Sequence, residues 1–327
     1  MTVVMEAKGV RRYYEVKKGM LAKAATVRAV DGVSFTLEAG RTLAIVGESG
    51  CGKSSLARVL AMLEPPSDGE LLIDGLPTLA PEADRRVALR RAVQMVFQNP
   101  YGSLNPRHTV GRILEEPLEI NTDLSRDQRA EAARAILARV GLRPEAYGRY
   151  PHMFSGGQRQ RIAIARALML KPRVVIADEP VSALDISIQG QILNLLMDLQ
   201  EELRLAYIFV SHDLGVVHHI ADEVMVMYLG RPVEHGETGL LFDRPAHPYT
   251  RALLGSRPRI QTGANKIPRK TLSGELPSPL RPPPGCAFHQ RCTFATELCK
   301  RDRPELRQVE GRAVACHHAE TVLGGAD

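Results

Sequence analysis

The segment Gly47-Glu48-Ser49-Gly50-Cys51-Gly52-Lys53-Ser54 fits the spacing G-x-x-x-x-G-K-[ST] of a P-loop. Glycines at those places let the backbone curl until successive N–H groups point at phosphate oxygens. A helix opening near Lys53 would add its positive N-terminal end. Lys53 would then bridge the β- and γ-phosphates, Ser54 would ligate Mg²⁺, and Ser55 falls in the same cradle. Cys51 reads as a small filler without a redox role. At ordinary glycine usage a chance match arises in about one chain in a hundred of this length, so the segment carries weight.

Two further groups bear on the same chemistry. Val174-Val175-Ile176-Ala177-Asp178-Glu179 is an apolar run that ends in two carboxylates. A buried strand would deliver them to its C-terminal end, where ligands sit in open α/β sheets. Asp178 would hold Mg²⁺ through water, and Glu179 would orient the attacking water or accept its proton. Such a run is weak evidence by itself and strong evidence after a P-loop. The third group is Ser155-Gly156-Gly157-Gln158, which has the form of an S-x-x-Q capping box. Two glycines fit a plain helix start poorly unless something must approach the backbone closely. A bare helix N-terminus with a serine hydroxyl is a second anion site.

These groups need elements to place them. Arg41 to Gly47, Arg173 to Ala177 and Tyr207 to Val210 read as buried strands, and Lys53 to Leu63 as a helix. Ser125 and Gln128 form a capping box for a helix that runs to Val140 and stops at Gly141. Ile188, Ile192, Leu195, Leu199 and Leu203 give the helix after the Asp-Glu strand an apolar face. Alternating strands and helices with continuous apolar strands predict a mostly parallel sheet between helices.

Length and composition set the bounds. The chain has 327 residues, enough for about two domains. Prolines at 258, 268, 277, 279 and 282–284 exclude long helices late in the chain, so a boundary is placed near Gly255. The two expected domains are 1–255 and 256–327, the second small and Cys-rich. Net charge is +6, with 13 Lys or Arg against 5 Asp or Glu between Arg251 and Arg312. That basic stretch suits an acidic partner, an anionic membrane surface or simple solvation. It lacks the interleaved aromatics of a base-stacking surface, so nucleic acid is not expected as a partner. Apolar runs such as Val224 to Leu229 are too short to span a bilayer, and no signal-peptide pattern is read at the N-terminus. Cys286, Cys292, Cys299 and Cys316 cluster late in the chain, and in a reducing compartment read as a metal site rather than disulfides.

The P-loop, the Ser-Gly-Gly-Gln segment and the strand ending in Asp-Glu, in this order, resemble the ATPase domain of ABC transporters. The resemblance spans about residues 5–255. It implies an α/β P-loop NTPase with a RecA-like core, an antiparallel β subdomain and a helical subdomain over roughly residues 100–165. It also implies roles residue by residue. Gln98 falls at the Q-loop glutamine that contacts Mg²⁺ and water, Asp185 ends the D-loop Ser182-Ala183-Leu184-Asp185, and His212 falls at the switch histidine near the γ-phosphate. Tyr14 falls where an aromatic ring stacks on adenine, with Tyr13 as the alternative because the stretch Lys17 to Thr26 blurs the alignment. ATP would be sandwiched between two such domains, with Lys53 of one facing Ser155 of the other. A second ATPase subunit, identical or a sister chain, is therefore expected.

The Cys spacing, Pro282-Pro283-Pro284-Gly285, His247-Pro248-Tyr249 and Gln98 to Arg107 together resemble the dipeptide and oligopeptide importer ATPases. That resemblance implies ATP-driven peptide import at the cytoplasmic face of the cell membrane, with two integral-membrane permease subunits and an extracytoplasmic solute-binding protein. Related importers carry nickel, glutathione or sugars, and a non-transport ABC ATPase is the other alternative. It implies a [4Fe–4S] cluster on the four cysteines, with structural Zn²⁺ as the rival and His289, His317 or His318 as spare ligands. Pro100, Tyr101 and Leu104 are candidates for contact with the membrane partner.

Overall fold

The computed structural model describes residues 2–16, 25–79, 82–256 and 275–325. In chain order its strands are β1 (Val3–Val16), β2 (Ala25–Glu38), β3 (Thr42–Val46), β4 (Asp68–Ile73), β5 (Leu76–Pro77), β6 (Val93–Val96), β7 (Val174–Asp178), β8 (Ala206–Val210), β9 (Glu223–Tyr228), β10 (Arg231–Glu237), β11 (Arg307–Val309) and β12 (Arg312–Val314). They build two sheets, β2-β1-β4-β5 and β11-β12-β10-β9-β3-β8-β7-β6. The small sheet is antiparallel. In the large one β9, β3, β8, β7 and β6 run parallel, and β10, β12 and β11 extend it antiparallel.

The expected strands form for the expected reason. Every residue of β3, β7 and β8 is buried, as parallel strands covered on both faces must be. The P-loop helix, Lys53–Leu60, stops earlier than its apolar pattern suggested, and Met62 turns to φ 55°. Its buried face packs in one core with the antiparallel sheet and β3, β7 and β8. A second core holds the helices Val110–Asn121, Arg126–Arg139, Gly156–Leu168 and Ile186–Leu203 against the sheet. The capping box at Ser125 and Gln128 is made in both directions. On the helix Ile186–Leu203 the buried stripe is Ile192, Leu193, Leu195, Leu196 and Leu199, while Leu203 is 36% exposed. The apolar face is thus shifted from the predicted one at its C-terminal end.

The late residues add to this frame. β12 pairs with β10 through Glu234↔Val314 and His235↔Ala313, which carries the central sheet on into the C-terminal region. Phe288, with Leu276, Cys286 and Cys292 beside it, packs in one cluster with Val226, Tyr228, Val233 and Tyr249. Residues 17–24 of the blurred stretch, and Pro258 and Pro268, lie outside the described residues, as do the side chains of Pro100 and Tyr101. Leu104, offered above as a partner contact, is 2% exposed and sits in the helical core, so packing has already claimed it.

Candidate functional site: a phosphate-binding cleft

The loop between β3 and the helix Lys53–Leu60 needs its glycines. Gly47 has φ 151°, and a Cβ there would lie 2.3 Å from the Met227 carbonyl oxygen; Gly52 has φ 104°, with a Cβ 2.0 Å from the Ala29 oxygen. Both are positions where only glycine lets two backbones meet. Lys53 Nζ donates to the carbonyl oxygens of Gly47, 2.8 Å, and Glu48, 3.0 Å. Cys51 is 1% exposed, its Sγ 3.9 Å from Lys53 Nζ, and burial pushes its thiol pKa up. That placement suits the expected filler.

A cleft of about 410 Å³ opens in front of the loop. Tyr14, Ser49, Gly50, Gly52, Lys53, Ser54, Ser55, Gln98 and Glu179 line it. Tyr13 and Tyr14 are successive on β1 and their hydroxyls go separate ways, Tyr13 to Asp31 and Tyr14 to Glu64. Only Tyr14 of the two reaches the cleft. Gly47, Glu48 and Cys51 are not among the lining residues.

The carboxylates arrive where β7 ends. Ser54 Oγ donates to Asp178 Oδ1 at 3.4 Å. Burial, helped by the charge of Glu179, raises the Asp178 pKa, and the Ser54 hydrogen bond opposes this. Gln98 Nε2 donates to Glu179 Oε2 at 2.8 Å, and His212 Nδ1 lies 3.2 Å from Glu179 Oε1. Three residues from distant parts of the chain thus meet at one carboxylate. Glu179 is also held at φ 46°, a conformation that costs a non-glycine residue about 1–3 kcal/mol, with its N–H on the Val210 oxygen. Nothing in the sequence signalled that strain.

The signature segment sits elsewhere. Ser155 caps the helix Gly156–Leu168 in a two-way box with Gln158, so the plain helix-start reading is physically present. A Cβ at Gly157 would come 2.5 Å from Ile188 Cγ2, and one at Gly156 3.3 Å from Leu184 Cδ2. Within one chain, close packing on Ile188 therefore accounts for Gly157, while at Gly156 the Leu184 side chain would have to give by only a few tenths of an ångström. Asp185 stands at the N-cap of the helix Ile186–Leu203 and makes no side-chain cap bond. Ser155 to Gln158 and Asp185 line no part of the cleft.

Two residues at the P-loop escaped sequence reasoning. Tyr249 Oη accepts the Glu48 N–H at 2.8 Å, and Arg291 forks onto the Glu48 carboxylate. Tyr249 entered above only as part of a family motif, and Arg291 had no signal beyond lying next to Cys292.

Cys286, Cys292, Cys299 and Cys316 line one small cavity with His247, His289, His317 and His318. Burial, added to by the neighbouring thiols, pushes Cys292 up to about 11 and Cys316 up to about 12. His247 is wholly buried and pushed down to about 3, and its Nδ1 accepts the Tyr249 N–H. His289, His317 and His318 each direct a ring nitrogen to a protein oxygen. Among the described residues no group of three or more His, Cys, Asp or Glu is arranged to hold a single metal ion.

Comparison with known proteins decides the family. Residues 30–182 match the ABC transporter family model, and residues 233–299 match the oligopeptide/dipeptide transporter C-terminal region. The chain is 59% identical to the di/tripeptide transport ATP-binding protein DppF of Pseudomonas aeruginosa, over 99% of this chain and 100% of that one. The chain belongs to the ABC transporter ATP-binding family. It is also 59% identical to the dipeptide transport ATP-binding protein DppF of Escherichia coli, over 96% of this chain and 93% of that one. Among solved structures, the dimeric bacterial ABC transporter cassette MJ0796 matches with TM-score 0.63 and 29% identity, over 72% of this chain and 98% of that one. A post-hydrolysis form of that dimer is bound to ADP and Pi. The chemistry of this ABC ATPase is ATP hydrolysis.

Proposed function

We propose that this ABC ATPase drives import of dipeptides or oligopeptides across the cell membrane. The observation that carries the reading is end-to-end similarity to peptide-transport ATP-binding proteins, C-terminal region included. Among the described residues no helix is long and apolar enough to cross a membrane. The chain would work peripherally, at the cytoplasmic face, on two integral-membrane permease subunits fed by an extracytoplasmic solute-binding protein. Residues 1–255 would be the nucleotide-binding part and 256–327 the appended part. The test is uptake of labelled dipeptide in cells that lack their own peptide importers and carry the permeases and binding protein encoded with this chain. Uptake should appear with the wild-type chain and fail with Glu179→Gln; uptake of nickel, glutathione or a sugar in its place would reassign the solute.

The geometry supports a role for each residue of the cleft. Tyr14 would stack on adenine at one end of the cleft. The loop from Gly47 to Ser55 would wrap the phosphates, with Lys53 turning from its own loop carbonyls to the β- and γ-phosphates. Ser54 and Asp178, already in contact, suit a hard cation with oxygen ligands, and Gln98 would reach the same ion. Mg²⁺ held there with ATP would neutralise charge between the phosphates. Glu179 would orient water and accept its proton, with Gln98 and His212 fixing the carboxylate. Ser155, Gly156, Gly157 and Gln158 of a second ATPase subunit, with its Asp185 nearby, would close over the γ-phosphate; the dimeric relative supports that pairing.

We further propose that Cys286, Cys292, Cys299 and Cys316 hold a [4Fe–4S] cluster. Four thiols line one small cavity, and four thiolates are the ligand set such a cluster takes. The group's chemistry there would be structural, tying loops that carry little core of their own. Anaerobic purification of Cys292→Ser should give a colourless protein where wild type is coloured and carries about four irons per chain. Wild type with one zinc instead would make the site a zinc staple.

A further inference from the structure

We infer that Arg291, at the end of the 3₁₀ turn His289–Arg291 between Cys286 and Cys292, is a positioning residue for the phosphate-binding loop, so that nucleotide affinity depends on the C-terminal region. This rests on the reading of the cleft as the ATP site. Arg291 Nη1 lies 2.6 Å from Glu48 Oε2, and Nη2 lies 2.9 Å from Oε1. The pair spans 243 residues of sequence, and the Arg291 side chain is only 4% exposed. A fork of this kind fixes the direction of the carboxylate as well as its distance. Nη1 also donates to Tyr228 Oη at 3.4 Å, and Tyr249 Oη takes the N–H of the same Glu48 at 2.8 Å. Phe288 packs on both tyrosines, with ring centroids 5.4 and 5.3 Å away.

Two consequences follow for ATP. The Glu48 carbonyl, with that of Gly47, holds Lys53 Nζ, so Arg291 reaches the phosphate-binding lysine through one residue. Glu48 also places a negative charge in a loop that must accept a triphosphate. Arg291 neutralises it; without the guanidinium the loop repels its own ligand. Pro279, from the same C-terminal region, stands in the cleft wall and makes the connection continuous.

The test uses the full chain with the metal it retains on purification, titrated with mant-ATP. Wild type must bind; a wild type that does not bind removes the ATP-site reading itself. With binding established, Arg291→Met should weaken affinity about tenfold or more, while fold by circular dichroism and metal per chain stay at wild-type levels. Arg291→Lys should fall between, because a lysine cannot reproduce the fork. Glu48→Gln combined with Arg291→Met should be no weaker than the worse single variant. Linkage also requires that nucleotide slow amide exchange across residues 286–292 in wild type and not in Arg291→Met. An affinity within twofold of wild type, additive losses in the double variant, or exchange at 286–292 indifferent to nucleotide would each overturn the inference. Should Arg291→Met not fold, Arg291→Lys is read in its place, and wild-type affinity there would overturn it.

Discussion

Glu179→Gln is expected to bind ATP at close to wild-type affinity and to hydrolyse it about 10²–10⁴ times more slowly. The substitution keeps size and shape, so β7 and the strained turn after it are undisturbed. It removes the proton acceptor. It also disturbs the contacts that aim the group, since the amide keeps one acceptor oxygen and must present its NH₂ either to Gln98 Nε2 or to His212 Nδ1. A second subunit closing over the γ-phosphate needs that phosphate intact, so the variant should collect as a closed dimer with ATP. Size-exclusion chromatography and phosphate release measure the two halves of this prediction. Turnover at the wild-type rate would take the base role away from Glu179.

Arg312→Met should cost about 3–5 kcal/mol of stability. Arg312 and Glu234 are both 0% exposed in their side chains and lie 3.8 Å apart. Glu234 accepts the N–H groups of Ala246 and His247, and burial raises its pKa; Arg312 donates to the Leu240 and Arg244 carbonyls. Methionine would leave a carboxylate in the interior with no counter-charge. Arg312 carries a burden of its own, since its Nε and Nη2 are buried without partners. Replacing both members, Glu234→Gln with Arg312→Met, should therefore cost clearly less than the single change. Urea unfolding of the three chains tests this. A single variant as stable as wild type would mean the pair does not hold β12 to the sheet.

How much of this was legible from residues differs by kind. The P-loop was legible because its function demands glycine where backbone meets backbone, as at Gly47 and Gly52. The parallel strands were legible because burial on both faces leaves no polar position. The antiparallel hairpin β12-β11 was not, since three-residue strands carry no period. The signature glycines were ambiguous for a physical reason: a close approach is needed, and Leu184 and Ile188 of the same chain supply one. Arg291 and Glu48 were unreadable as a pair because an ion pair 243 residues apart leaves no local pattern.

The hairpin β11-β12 also imposes an order of events during synthesis. Strand β10 leaves the ribosome about seventy-five residues before its partner β12. Until then the growing molecule exposes an unpaired sheet edge and a carboxylate, Glu234, that awaits its arginine. Open edges invite pairing with other chains, and non-local contacts close slowly. The nascent ATPase would thus be most exposed to aggregation just before translation ends, when a chaperone on that edge would matter most, and messages cut short before Arg312 would yield chains that never leave that state.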